Sequence, residues 1–456
     1  MSRSSLWRNA THALGTSVVS VPIGLLTSIL VTRALGAEGR GVYSLVLATA
    51  TFLATTLGLS LPAGITYVVA RAGANLRALG AQLLVIATVI GGFASAFLAI
   101  VRETRVAGYF LPSEGGTWIV AAITGWVFFL TLSLFARAVL VGRQEIVRAN
   151  RRDFLNRVLE AAAVALAVAW CSISFGRVPV AAVVGASLLA CAVTALSFVH
   201  AVGVPPKTSG PSQLGEVFRI SLPSHGANIL QYLNYRLDIF VVSYFAGAAA
   251  TGVYTLAVSV IQLLWLASNA VAYVLLPRVA ASWQVDSAVV ETCARVNRLS
   301  LASTALLALG AALLAPWVFP LVFGSDFAAS VGPLWLLLPG ATIFSAANVL
   351  ASYFAGTGRP RVNLHSSALG FVFTIVLDFA LIPRYGAAGA AVASTFSYAA
   401  SAVYLIARFS ADAKISPAKA CIVQRDDIRM VLERVRATFE NVRMQRAASR
   451  TAGVEG

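Results

Sequence analysis

The chain has 456 residues, of which 58% are hydrophobic and only 11% charged, and its mean hydropathy is +0.81. Soluble globular proteins carry about 25% charged residues, so that class is excluded, and disorder is excluded because it needs low hydrophobicity. The formal net charge of +16 does not indicate a nucleic-acid partner: in a polytopic membrane protein Lys and Arg gather in cytoplasmic loops, and that alone gives a basic total.

A membrane-crossing helix needs roughly 20 mostly apolar residues, and such runs recur along the whole chain. They predict twelve crossings, over 13–34, 42–69, 79–101, 117–141, 154–175, 179–201, 219–245, 251–277, 299–323, 330–356, 363–383 and 386–408. The first run, 13–32, is too long for the apolar core of a signal peptide. Basic residues set the orientation. Arg33, Arg40, Arg102, Arg105, Arg177 and Arg384 fall on one side and Arg236 lies inside a span, while every other Lys and Arg falls on the opposite side. The positive-inside rule then puts both termini in the cytoplasm. The expected organisation is a cytoplasmic N-terminus (1–12), a six-helix lobe (13–202), a cytoplasmic linker (203–218), a second six-helix lobe (219–409) and a basic tail (410–456). The outer loops are too short for a catalytic domain, so the chain is expected not to be an enzyme.

The two lobes repeat. In "ALGAEGRGVYSL" (34–45) and "FAGAAATGVYTL" (245–256), five residues match at an offset of 211. They are Gly36, Gly41, Val42, Tyr43 and Leu45, against Gly247, Gly252, Val253, Tyr254 and Leu256. "FGRVPVAAVVGAS" from Phe175 and "YGAAGAAVASTFS" from Tyr385 match at 210, and "VGRQEIVRAN" (141–150) resembles "GTGRPRVN" (356–363). An even number of helices per lobe makes the repeats parallel, a plan in which lobes rock about a midplane site. The glycines supply positive φ in tight turns or close helix approach.

No chemistry of another kind is indicated. Cys171, Cys191, Cys293 and Cys421 form no CxxC pair and have no neighbouring His, so neither a metal site nor a cofactor is expected. In the tail, Ile428, Val431, Leu432, Val435, Phe439 and Val442 recur at helical spacing among arginines. They predict a basic amphipathic helix on anionic lipid or docked to a partner.

"ILVTRALGAEGRGVYSLVLA", "YRLDIFVVSYFAGAAATGVYTLA" and "LDFALIPRYGAAGAAVASTFSY" together resemble the polysaccharide flippase branch of the multidrug/oligosaccharidyl-lipid/polysaccharide transporter superfamily. The resemblance covers residues 10 to 408. It implies an all-α polytopic membrane protein of about twelve helices in two lobes, arranged as a V-shaped alternating-access transporter of the bacterial inner membrane. The implied cargo is an undecaprenyl-pyrophosphate-linked oligosaccharide moved to the outer leaflet for lipopolysaccharide or exopolysaccharide assembly, with ion coupling and with other polysaccharide-assembly proteins as partners. The competing readings are a multidrug or small-molecule antiporter of the same superfamily and a membrane-embedded polymerase or glycosyltransferase. The first crossing has no Asp or Glu, which weakens the cationic-drug reading.

Intramembrane charges are expensive and mark function or interhelical pairing. Asn228, Gln231, Tyr235 and Asp238 recur at three- and four-residue spacing and predict one polar stripe along a cavity, with Asn234 and Arg236 on other sides. Arg236 and Asp238, two apart, do not face each other. Arg236 is a candidate for binding pyrophosphate. Asp238 either exchanges a proton or sodium ion or holds a cavity arginine. Asp378 and Glu160 are further ion-coupling candidates. Their simpler readings are an interfacial carboxylate paired with an arginine and a local pair with Arg157. Arg33, a cavity candidate, and Arg40 form either a basic lip or a solvated loop.

Overall fold

The computed structural model describes residues 3–71, 76–112, 116–203, 213–280, 287–430 and 433. Helices fill nearly all of it, because in hydrocarbon each backbone N–H and C=O must be satisfied within its own segment. The first six-crossing half contains α1 (Arg3–Leu57), α2 (Leu61–Ala70), α3 (Leu76–Arg102), α4 (Ala107–Phe110), α5 (Thr117–Gly142), α6 (Ile146–Phe175) and α7 (Val180–Val202). The second contains α8 (Leu214–Leu264), α9 (Leu266–Ala280), α10 (Ser287–Val318), α11 (Val331–Gly356), α12 (Pro360–Ala413) and α13 (Pro417–Cys421). A π turn (Phe319–Phe323) and a 3-10 turn (Ser325–Ser330) join α10 to α11.

Among the described residues, nine helices are long and apolar enough to cross a membrane. Three of these hold two crossings each. The helical path breaks at Gly36 (φ 65°, ψ −173°) in α1, Gly247 (φ 80°, ψ −179°) in α8 and Gly386 (φ 53°, ψ −129°) in α12. Glycine alone takes such backbone angles without a steric cost. These helices, with α2 and α9 completing the second and eighth, account for the twelve crossings that hydropathy predicts.

The repeat is visible in the packing. A Cβ on Gly41 would overlap the Ala248 carbonyl, and one on Gly252 would overlap the Ala37 carbonyl. Ala37 and Ala248 are equivalent in the repeat, so the two motif copies pack reciprocally, as across a local two-fold axis. Ser44 Oγ and Thr255 Oγ1, another equivalent pair, meet at 3.1 Å. The ends of α5 and α11 also match. Gln144 (φ 63°) and Gly358 (φ 73°) are left-handed. Just beyond them, Glu145 N–H bonds Leu140 O at 2.9 Å and Arg359 N–H bonds Phe354 O at 2.8 Å, the long-range bond of a Schellman cap. Gly142 lies against Val69, and Gly356 against Val279, each too close for a side chain.

The chain forms two compact units: Met1–Ile261 with Ala312–Leu337 and Ser367–Ser397, and Gln262–Ala311 with Leu338–Ser366 and Tyr398–Gly456. In the first, α5 packs on α7, α3, α2 and α1, and α6 on α7 and α1. In the second, Trp265, Phe344 and Tyr398 form an aromatic cluster, and the segment after α12 is strapped to α10. Arg298 (1% exposed) and Asp427 (0% exposed) form a bidentate pair at 2.6 and 2.9 Å. Arg298 also bonds the Lys419 carbonyl at 2.9 Å and Glu291 at 2.9 Å, and Asn297 bonds the Ala420 carbonyl at 2.9 Å. The amphipathic tail helix expected from sequence lies largely outside the described residues, which include its first apolar position, Ile428.

Candidate functional site

The polar part of α8 presents two working faces. On one, Asn234 Oδ1 lies 3.1 Å from Thr374 Oγ1 and 3.3 Å from Ser397 Oγ, both on α12. One turn along the same face, Asp238 (3% exposed) accepts hydrogen bonds from the Tyr254 hydroxyl, the Ile239 N–H at 2.7 Å and Ser394 Oγ at 3.4 Å. Asp378 stands one turn beyond Thr374 on α12. It is fully buried, and neither carboxyl oxygen has a hydrogen-bond partner among the described residues. The charge of Asp238 acts on it directly. Two buried carboxyls, one on α8 and one on α12, thus lie within electrostatic reach of each other, and hydroxyls from Tyr254 and Ser394 hold Asp238.

Asp378 is therefore not the interfacial, arginine-paired carboxylate expected from sequence. Hydropathy locates it near the end of a crossing but does not show which helix lies opposite. Arg40 is also corrected: it is 6% exposed rather than part of a lip or solvated loop. Its guanidinium reaches Thr32, Ser28 and Ser259, at 3.2 Å to Ser28 Oγ and 3.3 Å to Ser259 Oγ. Arg33 is exposed but engaged, with Nε donating to the Val322 carbonyl at 2.8 Å and a second N–H donating to Leu321 O. It closes the π turn and does not line the cavity described below.

The second face of α8 opens on a cavity of about 480 Å³, lined by Ser60, Thr131, Asn228, Gln231, Tyr232 and Tyr235 among others. It exists because the second crossing breaks. α1 ends at Leu57, Leu59 (φ 48°) and Ser60 (φ 54°) are left-handed, and α2 restarts at Leu61. Ser60 Oγ accepts from Asn228 Nδ2 at 2.8 Å and lies 3.3 Å from His225 Nδ1. Asn228, Gln231 and Tyr235 share this wall, whereas Asp238 does not. On a straight helix Gln231 and Asp238 point within about 20° of each other, but they stand two turns apart and meet different neighbours. The predicted single stripe is thus divided along its length. Arg236 is half-buried and makes no hydrogen bond or ion pair with any described residue. Its charge acts on Tyr232 and Asp238.

Glu160 does not form the expected ion pair with Arg157. Tyr43 donates toward it at 3.4 Å and also meets Ser187 at 3.1 Å. Tyr254, equivalent to Tyr43 in the repeat, likewise joins a carboxylate (Asp238) to a serine (Ser394, 3.0 Å). Each half therefore holds one acid through the same motif tyrosine. Sequence reasoning did not select Tyr254, although its place in the repeated "GVY" was the available signal. Nor did it select Ser60, Thr131 or Tyr232.

Near the Gly247 turn the first unit packs through aromatic rings. Tyr109 of α4 stacks on Tyr244 at 3.9 Å with planes 2° apart, and Phe110 packs on Phe240 and Phe52 at 5.5 and 6.0 Å. Thr49 anchors α4 through the Phe110 carbonyl at 2.8 Å.

Two family models match the chain: "Polysaccharide biosynthesis protein" over residues 6–283 and "Lipid II flippase MurJ" over residues 154–439. An inward-closed structure of lipid II flippase MurJ is similar at TM-score 0.69 and 13% identity, covering 87% of both chains. An inward-facing multidrug-resistance transporter of the MATE family, in the MOP superfamily, is similar at TM-score 0.68 and 17% identity. That match covers 89% of this chain and 99% of the other. These similarities show the fold. An uncharacterized membrane protein of Methanocaldococcus jannaschii is 25% identical over 176 residues, 38% of this chain and 34% of that protein. The chain thus aligns with about a third of that relative's length.

Proposed function

Because the chain belongs to the polysaccharide biosynthesis protein family and to the lipid II flippase family, we propose that this multi-pass membrane transporter flips a lipid-pyrophosphate-linked oligosaccharide. The lipid is of the undecaprenyl type, and transfer runs from the cytoplasmic to the outer leaflet of a bacterial inner membrane. Both termini lie in the cytoplasm, where the arginines between α5 and α6 and along the first turns of α6 (Arg143, Arg148, Arg151, Arg152 and Arg157) and the tail meet anionic headgroups. The tail also offers a surface to other polysaccharide-assembly proteins.

The observation that carries the proposal is Arg236, a half-buried cation that makes no hydrogen bond or ion pair with any described residue, close to a cavity whose described lining is uncharged. A guanidinium presents paired donors that match phosphate oxygens, and an intramembrane cation with no bound carboxylate is ready for an anionic ligand. Pyrophosphate at Arg236 places the attached sugar next to Asn228, Gln231, Tyr232 and Tyr235, while the polyprenyl chain stays in lipid.

Asp238 and Asp378 supply the coupling. Two ionised carboxylates buried within electrostatic reach of each other carry a large cost, so the pair holds a proton or a sodium-sized cation. Release of that ion leaves two like charges repelling each other, and α8 and α12 then separate. Binding and release on opposite sides tie ion movement to alternating access. Glu160, held by Tyr43, is a second acid of this type in the first half.

The test is deletion of the gene followed by measurement of the sidedness of lipid-linked oligosaccharide. Accumulation on the cytoplasmic leaflet supports flipping. Unchanged sidedness together with altered tolerance to small toxic cations assigns the protein to drug export instead.

A further inference from the structure

The cavity and Arg236 differ in chemistry, and the difference bears on the cargo. None of the described residues lining the 480 Å³ cavity is charged. Its polar groups are amides, phenols and hydroxyls: Asn228, Gln231, Tyr232, Tyr235, Ser60 and Thr55. Thr131 also borders it, but at 1% exposure its Oγ1 is closed off from the cavity. The volume falls within the usual range of small-molecule pockets, about 300–1,000 Å³.

Resting on the flippase reading, we infer that this cavity is a subsite for an uncharged sugar unit and discriminates against acidic sugars. Amide and hydroxyl groups can both donate and accept, as the ring hydroxyls of a saccharide require. Tyr232 and Tyr235 offer apolar ring faces with polar tips. The Tyr232 hydroxyl is held by the Ala48 carbonyl at 2.8 Å, which fixes its ring as a wall. A uronic or sialic carboxylate entering here would lose water without meeting a cation, a large cost. Arg236 does not line the cavity and, on the flippase reading, is occupied by the pyrophosphate. A site whose buried polar groups bind substrate hydroxyls also rejects ligands that leave those groups unpaired.

The experiment measures binding of three synthetic ligands to the purified full-length protein in nanodiscs. They are a polyprenyl pyrophosphate, the same carrier bearing a neutral N-acetylhexosamine disaccharide, and the carrier bearing a disaccharide that ends in a uronic acid. The neutral conjugate is expected to bind at least about tenfold tighter than both others, a difference of about 1.4 kcal/mol. Gln231→Leu, which removes an amide from the cavity wall, should reduce that preference. Equal binding of the neutral and acidic conjugates overturns the inference, as does equal binding of the neutral conjugate and the bare carrier. In both cases the flippase reading stands. Failure of all three to bind overturns both. The wild-type comparison alone decides, so a variant that does not fold costs nothing.

Discussion

Asp427→Asn removes one charge from the strap over α10 and keeps its shape. In the wild type the carboxylate takes two bonds from Arg298, at 2.6 and 2.9 Å, one from Arg295 at 3.2 Å and one from the Gln424 N–H at 3.0 Å. The amide can accept at one oxygen only and leaves the Arg298 guanidinium balanced by Glu291 alone. Breaking a buried pair costs about 3–5 kcal/mol. The low end applies, about 3 kcal/mol, because Glu291 remains and is 43% exposed. The strap should then open roughly 100-fold more often, and amide hydrogen exchange across residues 416–430 should accelerate by that factor at pH 7. The pH dependence has a definite sign. The Arg298 hydrogen bonds hold the Asp427 carboxyl below the usual carboxylate range. A depressed acid stabilises the docked state fully above its free value, about 3.9, and loses that contribution as pH falls through the docked value. Wild-type protection should therefore stay constant through neutral pH and approach the variant's only in strong acid. Exchange in the variant equal to wild type at pH 7 would refute this account of the strap.

Other outcomes follow from the packing. Gly252→Ala forces a methyl group into the Ala37 carbonyl and should destabilise the protein by about 1–3 kcal/mol, read as a lower melting temperature, whereas Gly310→Ala, which meets open space, should be close to neutral. Asp378→Asn removes a buried acid that has no hydrogen-bond partner among the described residues. It should raise the melting temperature while uncoupling transport from the ion gradient, and ion-dependent transport at wild-type rate would exclude Asp378 from coupling. Tyr109→Cys with Tyr244→Cys, in a chain freed of its four native cysteines, should be joined by a short bis-methanethiosulfonate reagent, each end forming a disulfide as methanesulfinate leaves. Transport should stop until the link is cleaved; continued transport through the intact link would show that this contact need not open.

Apolar run length determines the twelve crossings, and glycines at the offsets of the repeat determine the turns. Those features are local, so they can be read along the chain. The burial of Asp378 and Arg40 is not local. It depends on which helix stands opposite, and an isolated carboxylate near the end of an apolar run looks the same whether it meets lipid headgroups or the protein interior. The cavity was half legible. Asn228, Gln231 and Tyr235 announce a polar wall, but the opposite wall comes from a helix break at Leu59 and Ser60. Its only trace in the sequence is the Gly58 and Pro62 flanking it, inside a run that reads as one crossing. Tyr254 was legible as a repeated residue and not as a ligand of Asp238, because equivalence in the repeat names a position without naming its partners.

The central claim is that Arg236 binds the pyrophosphate of a lipid-linked glycan that this protein flips. The direct measurement is the rate at which a fluorescent polyprenyl-pyrophosphate oligosaccharide becomes accessible to an external quencher in proteoliposomes holding wild type or Arg236→Ala. The account predicts rapid transfer by wild type and a loss of at least about 30-fold in the variant, the equivalent of about 2 kcal/mol from a charge-assisted contact. The two proteins should be reconstituted to the same level. Equal transfer by both would contradict it.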